Sequence, residues 1–134
     1  MSLTNYAKNK MQDYLWGAIP FTNLPTNYYL ALSTTTISSS GSNISEPVGA
    51  GYARVQIPNT KSYFTYSTSG SVNNSQAINF ATSSGSFGTI LDIGLMDSLT
   101  SGSCWAYTSL ASPYIVQNNT TISFSASAIT ISQT

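Results

Sequence analysis

The side chains able to do chemistry are few. The carboxylates are Asp13, Glu46, Asp92 and Asp97, the only thiol is Cys104, and histidine is absent. Without an imidazole, Ser-His-Asp and Cys-His arrangements are excluded, because the nucleophile has no such base to take its proton. Acid–base work by a carboxylate pair needs two of these acids at one site. Asp92 and Asp97 are five residues apart in a strand-like run, so they start on opposite faces. Solvated turn or edge carboxylates are the expectation. Asp97 with loop carbonyls would make only a thin calcium site. A single cysteine forms neither an internal disulfide nor a thiolate cage. Within Ser103-Cys104-Trp105-Ala106-Tyr107 it reads as a buried, inert thiol. Gly85-Ser86-Phe87-Gly88 precedes a strand rather than a helix, so it is no phosphate loop. The residues therefore predict a protein that is not an enzyme and needs no cofactor or metal.

Charge narrows the partners. Only 6% of residues are charged and the net charge is zero, against about 25% in an average domain. No Lys/Arg cluster exists to displace counterions from phosphates, so nucleic acid is not an expected partner. No apolar run approaches the ~20 residues of a membrane span, and the opening lacks a basic region followed by an apolar one. A soluble protein of cytoplasmic origin is expected. Solubility must rest on Ser, Thr and Asn. Aromatic residues make up 12% of the chain. Trp16, Phe21, Tyr63, Phe64, Tyr66 and Trp105 could form a sugar-stacking platform, a protein contact patch, or core; for Trp105 the core reading is preferred.

The elements that must position these residues follow from periodicity. Leu3, Ala7, Met11, Tyr14 and Leu15 share one face of a helix at about 3–16, opposite Lys8, Asn9, Gln12 and Asp13. Thr4 or Asn5 can cap its start, and Gly17 followed by Pro20 can end it. Tyr28–Ser33 is apolar on both faces and reads as a buried strand. Residues 34–51 read as a long surface loop. Strands are expected at 52–57, where Pro58 stops the strand or marks an edge, and at 61–66, 77–80, 87–96 and 104–110. Gly94 signals a bulge or a close backbone approach. At the end, Ile122, Phe124 and Ala126 alternate, then Ile129 and Ile131 take the opposite parity. The strand must break near Ser127-Ala128. The sum is a single domain over 1–134: mainly β, an antiparallel β-sandwich with one N-terminal α-helix. The expected core is Leu30, Leu32, Val55, Ile78, Phe80, Ile93, Leu95, Ile122, Phe124, Ile129 and Ile131.

These runs together resemble a known family. Leu3-Thr4-Asn5-Tyr6-Ala7-Lys8-Asn9-Lys10 with Leu15-Trp16-Gly17, then Tyr29-Leu30-Ala31-Leu32-Ser33-Thr34-Thr35, then Gly49-Ala50-Gly51-Tyr52-Ala53-Arg54-Val55, are similar to the opening half of small tailed-phage virion proteins often labelled tail-fibre-like. Ile78-Asn79-Phe80, Gly94-Leu95-Met96-Asp97 and Thr121-Ile122-Ser123-Phe124 echo its later strands. The Gly-Tyr-Ala-Arg-Val run is the most specific part. Lys8 departs from the acid common there, and 58–68 looks like an insertion with extra aromatics. The resemblance implies a structural protein of the virion, made in the host bacterial cytoplasm, with no catalytic motif to carry over.

Two structural readings follow, with an enzyme such as a wall hydrolase a distant third. The preferred one is a capsid decoration or cement protein, partnered by itself as a homotrimer or other homo-oligomer and by the major capsid protein. The alternative is a tail-fibre or receptor-binding module contacting host glycans. Chain length tips the choice to decoration, because a fibre usually needs a shaft. The aromatics without a core partner in the alternation, Trp16, Phe21, Tyr63, Phe64 and Tyr66, are the expected contact surface, between copies or with the shell.

Overall fold

The computed structural model describes residues 1–18 and 20–133, with Phe21 described by its backbone alone. The chain is mainly β, with one α-helix near its N-terminus. Strand β1 (Ser2–Leu3) comes first and helix α1 (Asn5–Leu15) follows. Thr4 stands between them and explains the junction. Its backbone is extended, and its Oγ1 accepts the Ala7 N–H at 3.2 Å while donating to the Cys104 carbonyl at 2.6 Å. One buried hydroxyl thus caps the helix and ties its start to the sheet. Gly17, at φ 82°, ends the helix in the left-handed conformation.

The helix packs on the sheet with a narrower face than its periodicity predicts. Ala7 and Tyr14 are buried against Trp105, and Tyr6 meets the Trp105 ring edge-on at 5.5 Å. Leu3 belongs to β1 instead, and Leu15 is 58% exposed. Tyr14 takes the inward place because it lies seven residues, two turns, after Ala7.

A short 3-10 turn (Phe21–Asn23) leads into β2 (Asn27–Ser33), followed by β3 (Val55–Pro58), β4 (Ser71–Asn73), β5 (Ile78–Asn79), β6 (Gly88–Met96), β7 (Cys104–Val116), β8 (Ser123–Phe124) and β9 (Thr130–Ser132). The main sheet runs β3-β2-β6-β7-β1-β9-β4, and β5-β8 form a separate ribbon. All pairs are antiparallel except β1 with β9, which meet in parallel at Ser2 and Ser132. The sandwich-like interior lies between this curled mixed sheet and the ribbon. Pro58 sits on the edge strand β3, where its missing N–H costs no ladder bond.

Leu30, Leu32, Ile78, Phe80, Ile93, Leu95, Ile122 and Ile129 are buried as expected, with Val55, Phe124 and Ile131 packed partly buried around them. Ile90 joins the same cluster although it is three residues from Ile93. A register shift between Ile90 and Asp92 restores its face. The opposite face of β2 and β6 is also covered: Ala31, Met96 and Cys104 pack against Ile37. Gly94 is there because a Cβ would come within 3.2 Å of Ile37 Cδ1 and 3.3 Å of Cys104 Sγ.

Residues 34–51 are therefore a fastened cover rather than a free loop. Ile37 N–H donates to Asp92 Oδ2 at 2.7 Å, Thr34 N–H donates to the Ser45 carbonyl at 2.8 Å, and Ser39 carbonyl accepts from Asn5 N–H at 2.9 Å. The C-terminal break falls where the parity change places it. Ser127 has φ 65°, and the buried Asn74 side chain accepts from Ile129 N–H and donates to the Ser125 carbonyl, both at 2.9 Å.

Candidate contact surface

The expected strand at 61–66 does not form. Residues 59–63 make a turn in which Tyr63 and Phe64 both donate their N–H groups to the Thr60 carbonyl. Only isolated bridges follow, Phe64 with Asn74 and Thr68 with Ser71. The alternation argument therefore fails for this segment, and Phe64 is corrected from contact surface to core. It is 8% exposed and stands edge-on to Tyr28 at 6.1 Å. Tyr63 packs partly buried against the same cluster. Tyr66 is 77% exposed, with Lys61 Nζ over its ring at 4.9 Å.

Among the expected residues whose side chains are described, Trp16 is the most exposed, at 79%, and its Nε1 donates to Gln12 Oε1. The side chain of Phe21 lies outside the described residues. Leu15 and Leu24 flank Trp16 in sequence and are also exposed. Tyr14 Oη donates to the Asn23 carbonyl at 3.1 Å, which holds the 20–26 loop to the helix. Asn59 then joins this loop to the 59–68 segment, with Nδ2 donating to the Pro25 carbonyl and its N–H to Thr26, at 2.9 and 3.0 Å. The fold thus links the two segments that carry Trp16 and Tyr66.

A second apolar surface was not legible. β7 runs past Leu110 to Val116, leaving Tyr114 and Ile115 at 46% and 63% exposure. The β-forming run Tyr114-Ile115-Val116 was a usable signal, but Pro113 before it argues against a continuing strand.

The groups that could do chemistry hold structure instead. Arg54 donates through Nε and Nη2 to the two oxygens of Glu46, at 2.9 and 2.7 Å, and through Nη1 to the Ser98 and Ser101 carbonyls. Tyr52 Oη donates to Glu46 Oε1 at 2.6 Å and accepts from Leu32 N–H. Burial pushes the Glu46 carboxyl up, but hydrogen bonds from Arg54 and Tyr52 outweigh it and hold the group below its usual value. Asp92 is buried on the Ile37 N–H, correcting the solvated-edge expectation. Asp97 closes the β6–β7 turn by accepting from Ser103 N–H at 2.8 Å and Trp105 Nε1 at 3.1 Å. Burial pushes the Cys104 thiol up to about 11, so thiolate is scarce at neutral pH. Among the described residues no group of three His, Cys, Asp or Glu side chains is placed to hold a metal.

Comparison with known proteins gives one family. The model described as Podophage GP4 fiber I protein gp80 matches residues 2–132. No curated protein matches the chain.

Proposed function

The chain belongs to the Podophage GP4 fiber I protein gp80 family, and from that membership we propose that it is a non-catalytic building block of a fibre on the phage particle. The match over residues 2–132 is the observation that carries this reading. It supports the fibre alternative over capsid decoration, for which chain length was the only argument. The engagement of Glu46, Asp92 and Asp97 in loop and turn contacts supports the absence of a catalytic role. The protein works in several copies, with the exposed Leu15, Trp16, Leu24 and Tyr66 as contact surface.

Location and copy number test this. Antibody-labelled particles viewed by electron microscopy should carry label on thin appendages. Quantitative mass spectrometry should give a copy number set by the symmetry of those appendages. Label spread over the head, with a count comparable to the shell protein, would establish decoration instead.

A further inference from the structure

β7 outruns its neighbour on one side. β1 lies beside it only at Ala106 and Tyr107, and no strand among the described residues pairs there from Thr108 onward. Across a groove of about 430 Å³ lies β8, with Leu110, Ser112 and Tyr114 on one wall and Ile122, Ser123 and Phe124 on the other. Among the described residues β8 pairs only with β5. The Ile122 carbonyl accepts from Phe80 N–H at 2.9 Å. In an antiparallel ladder the next residue, Ser123, then turns its N–H and C=O away from β5, to the side of the groove. Both walls are strand edges.

Bare edges are normally guarded by charges, prolines or a covering element. Along this one only Pro113 stands guard, and no charged residue occurs after Asp97. We propose that the groove receives an extended, uncharged segment donated by a different protein of the particle, added as a strand between β7 and β8. The inference rests on the virion reading above. Backbone edges recognise extended main chain, and Leu110, Ile122 and Phe124 select apolar side chains at alternate positions. A charged side chain would lose its hydration with no counter-charge on either wall. β1 shows that this line accepts a strand, since it lies antiparallel to β7 and parallel to β9 just beyond the groove. Among the described residues a second copy has no spare strand to insert: each of its strands already lies in its own sheet or ribbon, and residues 34–51 are fastened to it.

The test is complementation of a phage lacking its own copy. Ser123→Pro removes an N–H that β5 does not use, and Ser112→Glu places a charge in the groove; Ser123→Ala is the control. Incorporation into particles should fall roughly tenfold for the first two and stay unchanged for the control, with all three melting like the parent. Should Ser123→Pro lower the melting temperature, Ser112→Glu decides. A photocrosslinker introduced as Tyr114→p-benzoylphenylalanine should capture an extended stretch of another virion protein. Normal incorporation of both variants, or crosslinks to nothing or only to a second copy, would overturn the proposal. Label on the fibre with normal incorporation refutes this inference alone; label on the head refutes the fibre reading.

Discussion

Tyr52 and Arg54 sit two residues apart on the approach to β3, and both end on Glu46. This accounts for the most specific run in the sequence, Gly51-Tyr52-Ala53-Arg54-Val55: its polar side chains fasten the 34–51 cover and the turn after β6 to one another. That Arg54 points away from Val55 is readable from alternation. Its partner is not, because Glu46 lies across a loop whose path no periodicity describes. The acid limb of stability should report the clamp. Glu46 is held below its usual carboxylate value, so its contribution is complete above the unfolded value of 4.5 and is lost as pH falls through the folded one. Thermal melts between about pH 3 and 7 should show stability falling at the acid end, and Glu46→Gln should flatten that fall while lowering stability at neutral pH. Cys104 gives a second residue-level expectation. Buried and with its thiol pushed up to about 11, it should resist iodoacetamide at neutral pH and react only in denaturant.

At the scale of elements, the segment 59–68 separates what pattern can and cannot reveal. Tyr63, Phe64 and Tyr66 are β-formers, and their run predicts a strand. The deciding interaction is the Thr60 carbonyl accepting two N–H groups, a turn that composition does not announce. Phe64→Ala should therefore cost about 3–5 kcal/mol as a core deletion, while Tyr66→Ala should stay within about 0.5 kcal/mol. Urea titration of both variants checks the contrast. The helix is legible in place, but it spans Asn5–Leu15 rather than 3–16 because Thr4 caps it and Leu3 lies in β1; its cap is among the two residues the sequence offers. Its buried face was only partly legible, because Trp105, which selects Tyr14 over Leu15, arrives from a strand 90 residues away. Thr4→Ala should cost about 1–2 kcal/mol, since it removes a cap and leaves the buried Cys104 carbonyl short of a donor. The C-terminal break was legible because a parity change must be absorbed somewhere; that buried Asn74 holds it was not, since its partners lie over 50 residues away.

At the scale of the molecule, the scarcity of charge governs how the protein holds its place. Four cations and four anions serve 134 residues, and one pair of them, Arg54 with Glu46, is spent inside the fold. Electrostatic attachment weakens as salt shortens the screening length, but the exposed candidates for contact here are Leu15, Trp16, Leu24, Tyr66, Tyr114 and Ile115. Contacts made by apolar area and main-chain hydrogen bonds are little affected by sodium chloride and are strengthened by sulfate, which is excluded from protein surfaces. Urea solvates both apolar and peptide groups and should act in the opposite sense. Washed particles held in rising sodium chloride should therefore retain the protein, whereas rising urea should release it before the shell opens. Pelleting the particles and quantifying the protein left in the supernatant measures both. Release by salt alone, at concentrations that leave the particle intact, would mean that the few surface charges hold it after all.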